Sequence, residues 1–227
     1  MWGIVAAGGV GRRFGGPKQS VRVGGRSIVE WSLAALVPAC DGLVVVVPRP
    51  ASGVWVPEKE LESADAVVQG GTTRSESVRN GLAAVPDDAA VIVVHDAARP
   101  FVREGLVARV IEAVWQGAAG AVPGLRVVDT IKEVESGVVV KTPDRARLVA
   151  VQTPQAFRAG VLRRAHEEAP RGVAVTDDAA LVEMLGERVV VVAGDPGNEK
   201  ITTPDDLVAL GWSVAAADGL TWERRST

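Results

Sequence analysis

Ala6-Ala7-Gly8-Gly9-Val10-Gly11-Arg12-Arg13-Phe14-Gly15-Gly16-Pro17-Lys18-Gln19 follows directly on an apolar run at about residues 2–7. A strand that opens into so many glycines lets backbone N–H groups come close to phosphate oxygens. Three kinds of glycine loop compete for this stretch. A P-loop needs Gly-Lys-Ser/Thr after four spacer residues. Gly11 and Gly16 have that spacing, but Pro17 stands at the lysine position. A dinucleotide fingerprint needs a third glycine three residues after the second, and an acidic residue about 20 positions on. Phe14 occupies the glycine position, and Glu30 falls inside an expected helix instead of closing a second strand. What remains is a loop carrying two arginines, then Lys18 held stiffly behind Pro17. Such a loop suits a triphosphate, because amides and cations neutralise charge that builds on a leaving pyrophosphate. The plain alternative is a glycine-rich turn with solvated basic residues.

Outward from the loop, short Val-rich runs alternate with Ala/Leu-rich amphipathic stretches. Strands are expected at about 2–7, 42–48, 65–69, 90–95, 118–122 and 188–193, and helices near 27–37, 73–84, 102–116, 158–168, 177–185 and 204–217. Continuous runs such as Val44-Val45-Val46-Val47 and Val189-Val190-Val191-Val192 read as parallel strands buried on both faces. The alternation implies an α/β fold, a mostly parallel, Rossmann-like sheet with helices on both faces.

One region breaks the rhythm. Over about 124–150 the pattern is β-like without a helix: Val127-Val128-Asp129-Thr130-Ile131-Lys132, then Glu135-Ser136-Gly137, then Val138-Val139-Val140-Lys141. This reads as an inserted β-hairpin. A hairpin buries little surface alone, so a dimerisation arm covered by a second subunit is expected, with a flap on its own domain as the alternative. Residues 1–227 then form a single domain with a polar tail from about 218, anchored only by Trp222. A fused second enzyme is not expected in this length.

The composition narrows the chemistry. Of 227 residues, 47% are hydrophobic, and 28 acidic against 25 basic side chains leave a net charge of −3. That balance argues against a nucleic-acid partner. No apolar run approaches the roughly 20 residues of a membrane span, and the first residues do not resemble a signal peptide, so a cytoplasmic setting is expected. One cysteine, two histidines and no tyrosine exclude a disulfide framework and a Cys-rich zinc site. They also leave few of the usual nucleophiles and proton carriers. His95 fits the core better than catalysis, and Cys40 is a small hydrophobe. Chemistry in this chain leans on arginine, lysine, carboxylates and backbone.

With the loop in hand, an ordered set of further segments stands out. These are Gly70-Gly71-Thr72-Thr73-Arg74-Ser75-Glu76-Ser77-Val78, His95-Asp96-Ala97-Ala98-Arg99-Pro100, Asp129-Thr130-Ile131-Lys132, Val151-Gln152-Thr153-Pro154-Gln155, Thr176-Asp177-Asp178 and Lys200-Ile201-Thr202. Together with Gly-x-Gly-Arg-Arg and Pro-Lys-Gln they resemble the 2-C-methyl-D-erythritol 4-phosphate cytidylyltransferases, a nucleotidyltransferase family of the nonmevalonate isoprenoid pathway. The resemblance covers about residues 2–210. It implies that Arg13 and Lys18 stabilise charge at the α-phosphate and the leaving pyrophosphate of CTP. It places Ala6, Ala7, Gly8, Gly9, Gly11, Gly71, Thr72, Ser77, Asp96 and Ala97 at the nucleotide. Thr72 departs from the aspartate frequent at that position. The polyol phosphate falls to Thr130, Thr153, Thr176, Arg145 and Lys200, with Arg145 reaching in from a neighbouring subunit of a homodimer. From their place at the carboxyl edge of a strand, Asp96 and Arg99 are candidates for the substrate phosphate, the ribose or a magnesium-bound water. Magnesium is expected to be held mainly through the triphosphate, with its protein ligands unassigned. A ribitol 5-phosphate cytidylyltransferase shares the loop, and a non-catalytic nucleotide-binding regulator is the alternative from another class. From the residues alone, Thr72 and Thr73 are also helix caps, as is Thr176-Asp177-Asp178, and Thr203-Pro204-Asp205-Asp206 is a helix start that needs no other role.

Overall fold

The structure is a computed structural model that describes residues 1–9, 11–54, 56–169, 175–215 and 220–224. β1 (Trp2–Ala6) leads into the glycine loop. After it come the short strands β2 (Arg22–Val23) and β3 (Arg26–Ser27), α1 (Ile28–Leu36), β4 (Gly42–Val47), β5 (Ala66–Gln69), α2 (Arg74–Leu82), β6 (Val91–Asp96) and α3 (Glu104–Trp115). β7 (Gly120–Arg126) precedes the arm strands β8 (Glu133–Glu135) and β9 (Val138–Lys141), and β10 (Val149–Val151) and β11 (Gln155–Arg158) return from it. α4 (Ala159–Glu168), α5 (Asp178–Met184), β12 (Val189–Ala193), α6 (Pro204–Ala209), β13 (Trp212–Val214) and β14 (Thr221–Arg224) complete the order.

β5, β4, β1 and β6 lie side by side and parallel, with Ala6 level with both Val46 and Asp96. Their carboxyl ends therefore open on one edge of the sheet, where α/β folds bind ligands. β11 runs antiparallel between β6 and β7. β7 pairs with β10 and β11 along one edge and with β12, parallel, along the other. β11 has no counterpart among the strands expected from the sequence: it is four residues long, starts right after Pro154 and runs straight into α4, so no periodicity can build up.

Alternation along each strand assigns the two faces. Val5, Val45 and Val93 pack with Leu33, Leu36, Leu106 and Val110 of α1 and α3. Ile4, Val44, Val46, Ile92 and Val94 pack on the opposite side with Val78, Leu82, Leu162 and Val182 of α2, α4 and α5. Each such fully buried aliphatic side chain contributes about 1.5–3 kcal/mol, which makes this sheet the rigid base of the molecule.

A second sheet of four short strands, in the order β13-β14-β2-β3, corrects the reading of the C-terminal region. The helix expected to 217 stops at Ala209, because Gly211 takes φ 81° and the chain turns into β13. Residues 216 and 217 of that expected helix lie outside the described residues. The tail expected to be polar and frayed includes β14, whose Trp222 is buried beside Phe14, Val21, Ile28, Ile201, Leu207 and Trp212. Residues 218–219 and 225–227 lie outside the described residues. This third core fastens the chain on both sides of Lys18 and Lys200 to one platform.

Helix starts follow local chemistry. Ser27 accepts from Glu30 N–H, and the Glu30 carboxylate accepts from Ser27 N–H, so Glu30 closes a capping box. Thr73 caps α2 and Asp177 caps α5. In the arm, the expected strand over 127–132 is displaced: β7 itself runs to Arg126, and the hairpin is β8 with β9, closed by Ser136 and Gly137 with φ 48° and 82°. Two central residues at positive φ make a type I′ turn, which fits the twist of paired strands.

Candidate active site

Two glycine segments meet at the carboxyl edge, one after β1 and one after β5. A Cβ placed on Gly8 would lie 3.7 Å from Gly70 Cα and 3.4 Å from Ser77 Oγ, so the two loops abut through bare backbone. Ser77 shapes the second loop: its hydroxyl donates to Thr73 O (2.9 Å) and accepts from Gly71 N–H (3.0 Å). Thr72 directs both its N–H and its hydroxyl at the Glu76 carboxylate. In the first loop Gly11 adopts φ 67°, and a Cβ there would sit 2.0 Å from Gly16 O, so only glycine closes this turn. Ala6 and Ala7 belong to the sheet edge. Ala7 N–H donates to Val46 O (2.8 Å), and Ala97 N–H donates to Ala6 O (3.1 Å).

Lys18 and Lys200 come from opposite ends of the chain and meet here. Lys18 Nζ donates to Ile201 O at 2.7 Å, and Lys200 Nζ reaches Asp96 Oδ2 at 2.7 Å. Burial, then the neighbouring charge of Lys200, brings the Lys18 ammonium down to about 8, and the charge of Arg13 acts in the same direction. Arg13 itself is exposed at the loop's rim. Three cations thus gather at one edge of the sheet, with Asp96 as the carboxylate that faces Lys200, a setting that suits a polyanion.

Asp96 ends β6 and is the hub of the site. Burial would raise its carboxyl, but Arg74 and Lys200 hold it well below the usual carboxylate range. Arg74 Nε lies 3.2 Å from Asp96 Oδ1, and the same guanidinium reaches Asp178 Oδ2 at 2.7 Å. Asp178 is buried and also meets His166 Nε2 at 3.0 Å. Burial works against the charge on Arg74, yet Asp178 and Asp96 more than restore it. Arg74 and Asp178 lie in segments that the sequence marks, but neither is assigned a place in the site from the sequence. The Gly-Gly-Thr-Thr-Arg spacing puts Arg74 at the first position of α2, but nothing linear says that this turn faces the end of β6.

Behind Asp96 the polar groups are locked together. Thr153 Oγ1 accepts from Asp96 N–H (3.0 Å) and lies 3.2 Å from His95 Nδ1, while His95 Nε2 lies 3.1 Å from Arg99 O. A ring nitrogen facing a carbonyl carries the hydrogen, so Nδ1 is the acceptor for the Thr153 hydroxyl. Burial pushes His95 down to about 4, which keeps it neutral at pH 7 and inside the core. Thr153, expected at the polyol phosphate, is buried with its hydroxyl committed to this network. Arg99 donates to Asn198 O (2.7 Å), and Asn198 Nδ2 donates to Thr153 O (2.8 Å), tying the Lys200 segment to β6 and the β10–β11 connection. Thr176 is exposed just before Asp177, which accepts from Gln155 Nε2 at 2.9 Å.

Gln19, also unassigned from the sequence, is buried beneath the first loop, with its amide nitrogen donating to Ala7 O (2.7 Å) and to Gly9 O. The arm residues stand apart from all of this. Thr130 and Arg145 are exposed, and Arg145 donates to Val128 O within the arm. Among the described residues no three His, Cys, Asp or Glu side chains converge as a metal cage, and no helix is long and apolar enough to cross a membrane.

Comparison with known proteins agrees with this geometry. The family model for 2-C-methyl-D-erythritol 4-phosphate cytidylyltransferase matches residues 1–213. A 2-C-methyl-D-erythritol 4-phosphate cytidylyltransferase of Nocardia farcinica is 46% identical over 212 residues, covering 90% of this chain and 89% of its own. A bifunctional enzyme IspD/IspF of Nitratidesulfovibrio vulgaris is 55% identical over 145 residues, 63% of this chain and 37% of the relative. The chain spans about half the length, or less, of the bifunctional relatives that it matches. The crystal structure of the Thermus thermophilus 2-C-methyl-D-erythritol 4-phosphate cytidylyltransferase superposes with a TM-score of 0.76 at 38% identity, covering 91% of this chain and 95% of that one. A match running from β1 to β13, and so through the glycine loop, Asp96 and Lys200, leaves one conclusion: this chain belongs to the 2-C-methyl-D-erythritol 4-phosphate cytidylyltransferase family.

Proposed function

We propose that the protein transfers the cytidylyl group of CTP to 2-C-methyl-D-erythritol 4-phosphate, giving 4-diphosphocytidyl-2-C-methyl-D-erythritol and pyrophosphate. The observation that carries this is the meeting of Lys18 and Lys200 beside a glycine loop, at a sheet edge that offers cations and amides but no free histidine. A phosphate monoester is mostly dianionic near neutral pH, its second pKa being about 6. One of its oxygens attacks the α-phosphorus in line, a new P–O bond forms, and the bond to the β-phosphate oxygen breaks with pyrophosphate leaving. No protein base is needed. The protein's part is to position the two anions and to stabilise the charge that moves onto pyrophosphate, with Arg13 and Lys18 at the nucleotide and Lys200 at the incoming phosphate.

Both oxygens of Asp96 already face cations, so the donor set suits magnesium carried in by the triphosphate better than magnesium held by side chains. Bound in that way, the ion supplies further neutralisation of the β- and γ-phosphate charge. Thr130 and Arg145 would complete the site from a second subunit of a homodimer. The arm supports that assembly: Val128 is 78% exposed and Val138 65%, apolar surface that a partner would cover. A reducing, cytoplasmic setting suits the one free thiol, Cys40, which burial raises to about 11.

The test is pyrophosphate release from CTP, UTP or GTP with methylerythritol phosphate or ribitol 5-phosphate as acceptor. CTP with methylerythritol phosphate is expected to be fastest. Faster turnover with ribitol phosphate would reassign the acceptor. No release from any pair, with CTP still bound, would leave a nucleotide-binding regulator.

A further inference from the structure

The first glycine loop is fastened from below by one side chain. Gln19 is 4% exposed, and its amide nitrogen donates to two loop carbonyls, Ala7 O at 2.7 Å and Gly9 O. Both neighbours are acceptors, so the amide cannot turn over: its oxygen would then face two carbonyl oxygens. Its Oε1 is buried and has no hydrogen-bond partner, which marks the side chain as placed for its donors. The Ala7–Gly8 peptide is trans, since the one cis bond among the described residues is Thr153–Pro154. In a planar trans peptide the C=O and N–H point in opposite directions. Holding Ala7 O inward on Gln19 therefore turns Gly8 N–H outward, toward the open side of the loop.

Gln19 also sits in the same short 3₁₀ turn as Lys18, over Lys18–Ser20. The turn that hands the Lys18 ammonium to the Ile201 carbonyl thus fixes the peptide planes of the loop as well. We propose that Gln19 is a positioning residue for the nucleotide's phosphates, acting through the loop backbone and never touching substrate itself. The inference rests on CTP being the nucleotide of this site. A loop whose carbonyls are released exposes acceptors where donors are needed, and loses its register with Lys18.

Two variants test it. Gln19→Glu keeps the shape but, as a carboxylate, sets an acceptor oxygen against the two carbonyls that the amide nitrogen served; Gln19→Met removes both donors without adding charge. At neutral pH each is expected to weaken CTP binding, measured by calorimetry, by at least about tenfold, with KM for the polyol phosphate within twofold of wild type. Gln19→Glu is further expected to recover CTP affinity on acidification toward pH 5, where the protonated acid regains one donor, while Gln19→Met does not. A general loss of structure would raise both KM values and would not recover in acid. If either variant, folded by its melting temperature, binds CTP within twofold of wild type, the inference is overturned and the assigned reaction stands. If the wild-type protein neither binds nor consumes CTP, the assigned reaction falls first and this inference with it.

Discussion

The glycine-loop region and the arm differ in what holds them. Around Lys18, Asp96 and Lys200 the polar side chains are cross-linked within the chain: Arg74 bridges Asp96 to Asp178, Thr153 locks Asp96 to His95, and Arg99 and Asn198 bind the Lys200 segment to the sheet, while Gln19 Oε1, Arg99 Nε and Asn198 Oδ1 stay buried without a hydrogen-bond partner. Three buried clusters press on that region from three sides. The arm has β8 paired only with β9, and its valines at 134, 138, 139 and 140 lie on the surface. A two-stranded ribbon with exposed apolar faces is marginal in water. On the proposed reading, the contrast means that one chain preorganises the nucleotide half of the site, where charge must be stabilised without reorganisation. On the proposed dimer, Thr130 and Arg145 would join the site only when a second chain covers the exposed arm.

That contrast can be broken most severely at the loop. Lys18→Ala or Arg13→Ala is expected to lower turnover roughly 10²–10³-fold, by comparison with losing one preorganised donor, with the melting temperature near that of wild type. Steady-state rates of pyrophosphate release check this, and near wild-type rates in either variant would place the charge stabilisation elsewhere. A smaller, graded effect follows from the ionisation of Lys18. Its ammonium titrates at about 8 in the free protein, so the charge is present below that pH and lost above it. The kcat/KM for CTP reports groups of the free enzyme. It should therefore be flat between about pH 7 and 8, where the attacking phosphate is already dianionic, and fall up to tenfold per unit above that range, and Lys18→Arg should push the fall to higher pH. A kcat/KM that rises through pH 8 would mean that Lys18 does not act as a cation.

Much of this was legible in the sequence, and the reasons for the rest are physical. The valine runs at 44–47 and 189–192 are strands, and the glycine loop follows β1. Burial on both faces holds for Val44–Val46 but not for the second run, because among the described residues β12 pairs only with β7 and Val191 is 55% exposed. Strands as short as β2, β3, β11, β13 and β14 leave no compositional mark unless, like the four-residue β5 and β9, they carry a clear apolar run, and the apolar stretch after Leu210 reads as more helix until Gly211 turns the chain. At the site, Arg13, Lys18 and Asp96 stand out because cations and a strand-ending carboxylate beside glycines carry chemical meaning, whereas Lys200 is reached only through the family resemblance. Arg74, Asp178 and Gln19 act through partners 22, 104 and 10 to 12 residues away. Separations of that kind have no period, and only the folded sheet reveals them.

The central claim is that a complete site needs the loop of one chain and the arm of another. It is tested most directly by mixing two inactive proteins, Arg145→Ala and Lys18→Ala, under conditions where subunits exchange. Random exchange in a two-fold dimer makes half the dimers mixed, each with one intact site, so activity should rise to about a quarter of wild type. Mixtures that stay as inactive as their components, with exchange verified by mass, would contradict the claim and confine Arg145 to its own chain.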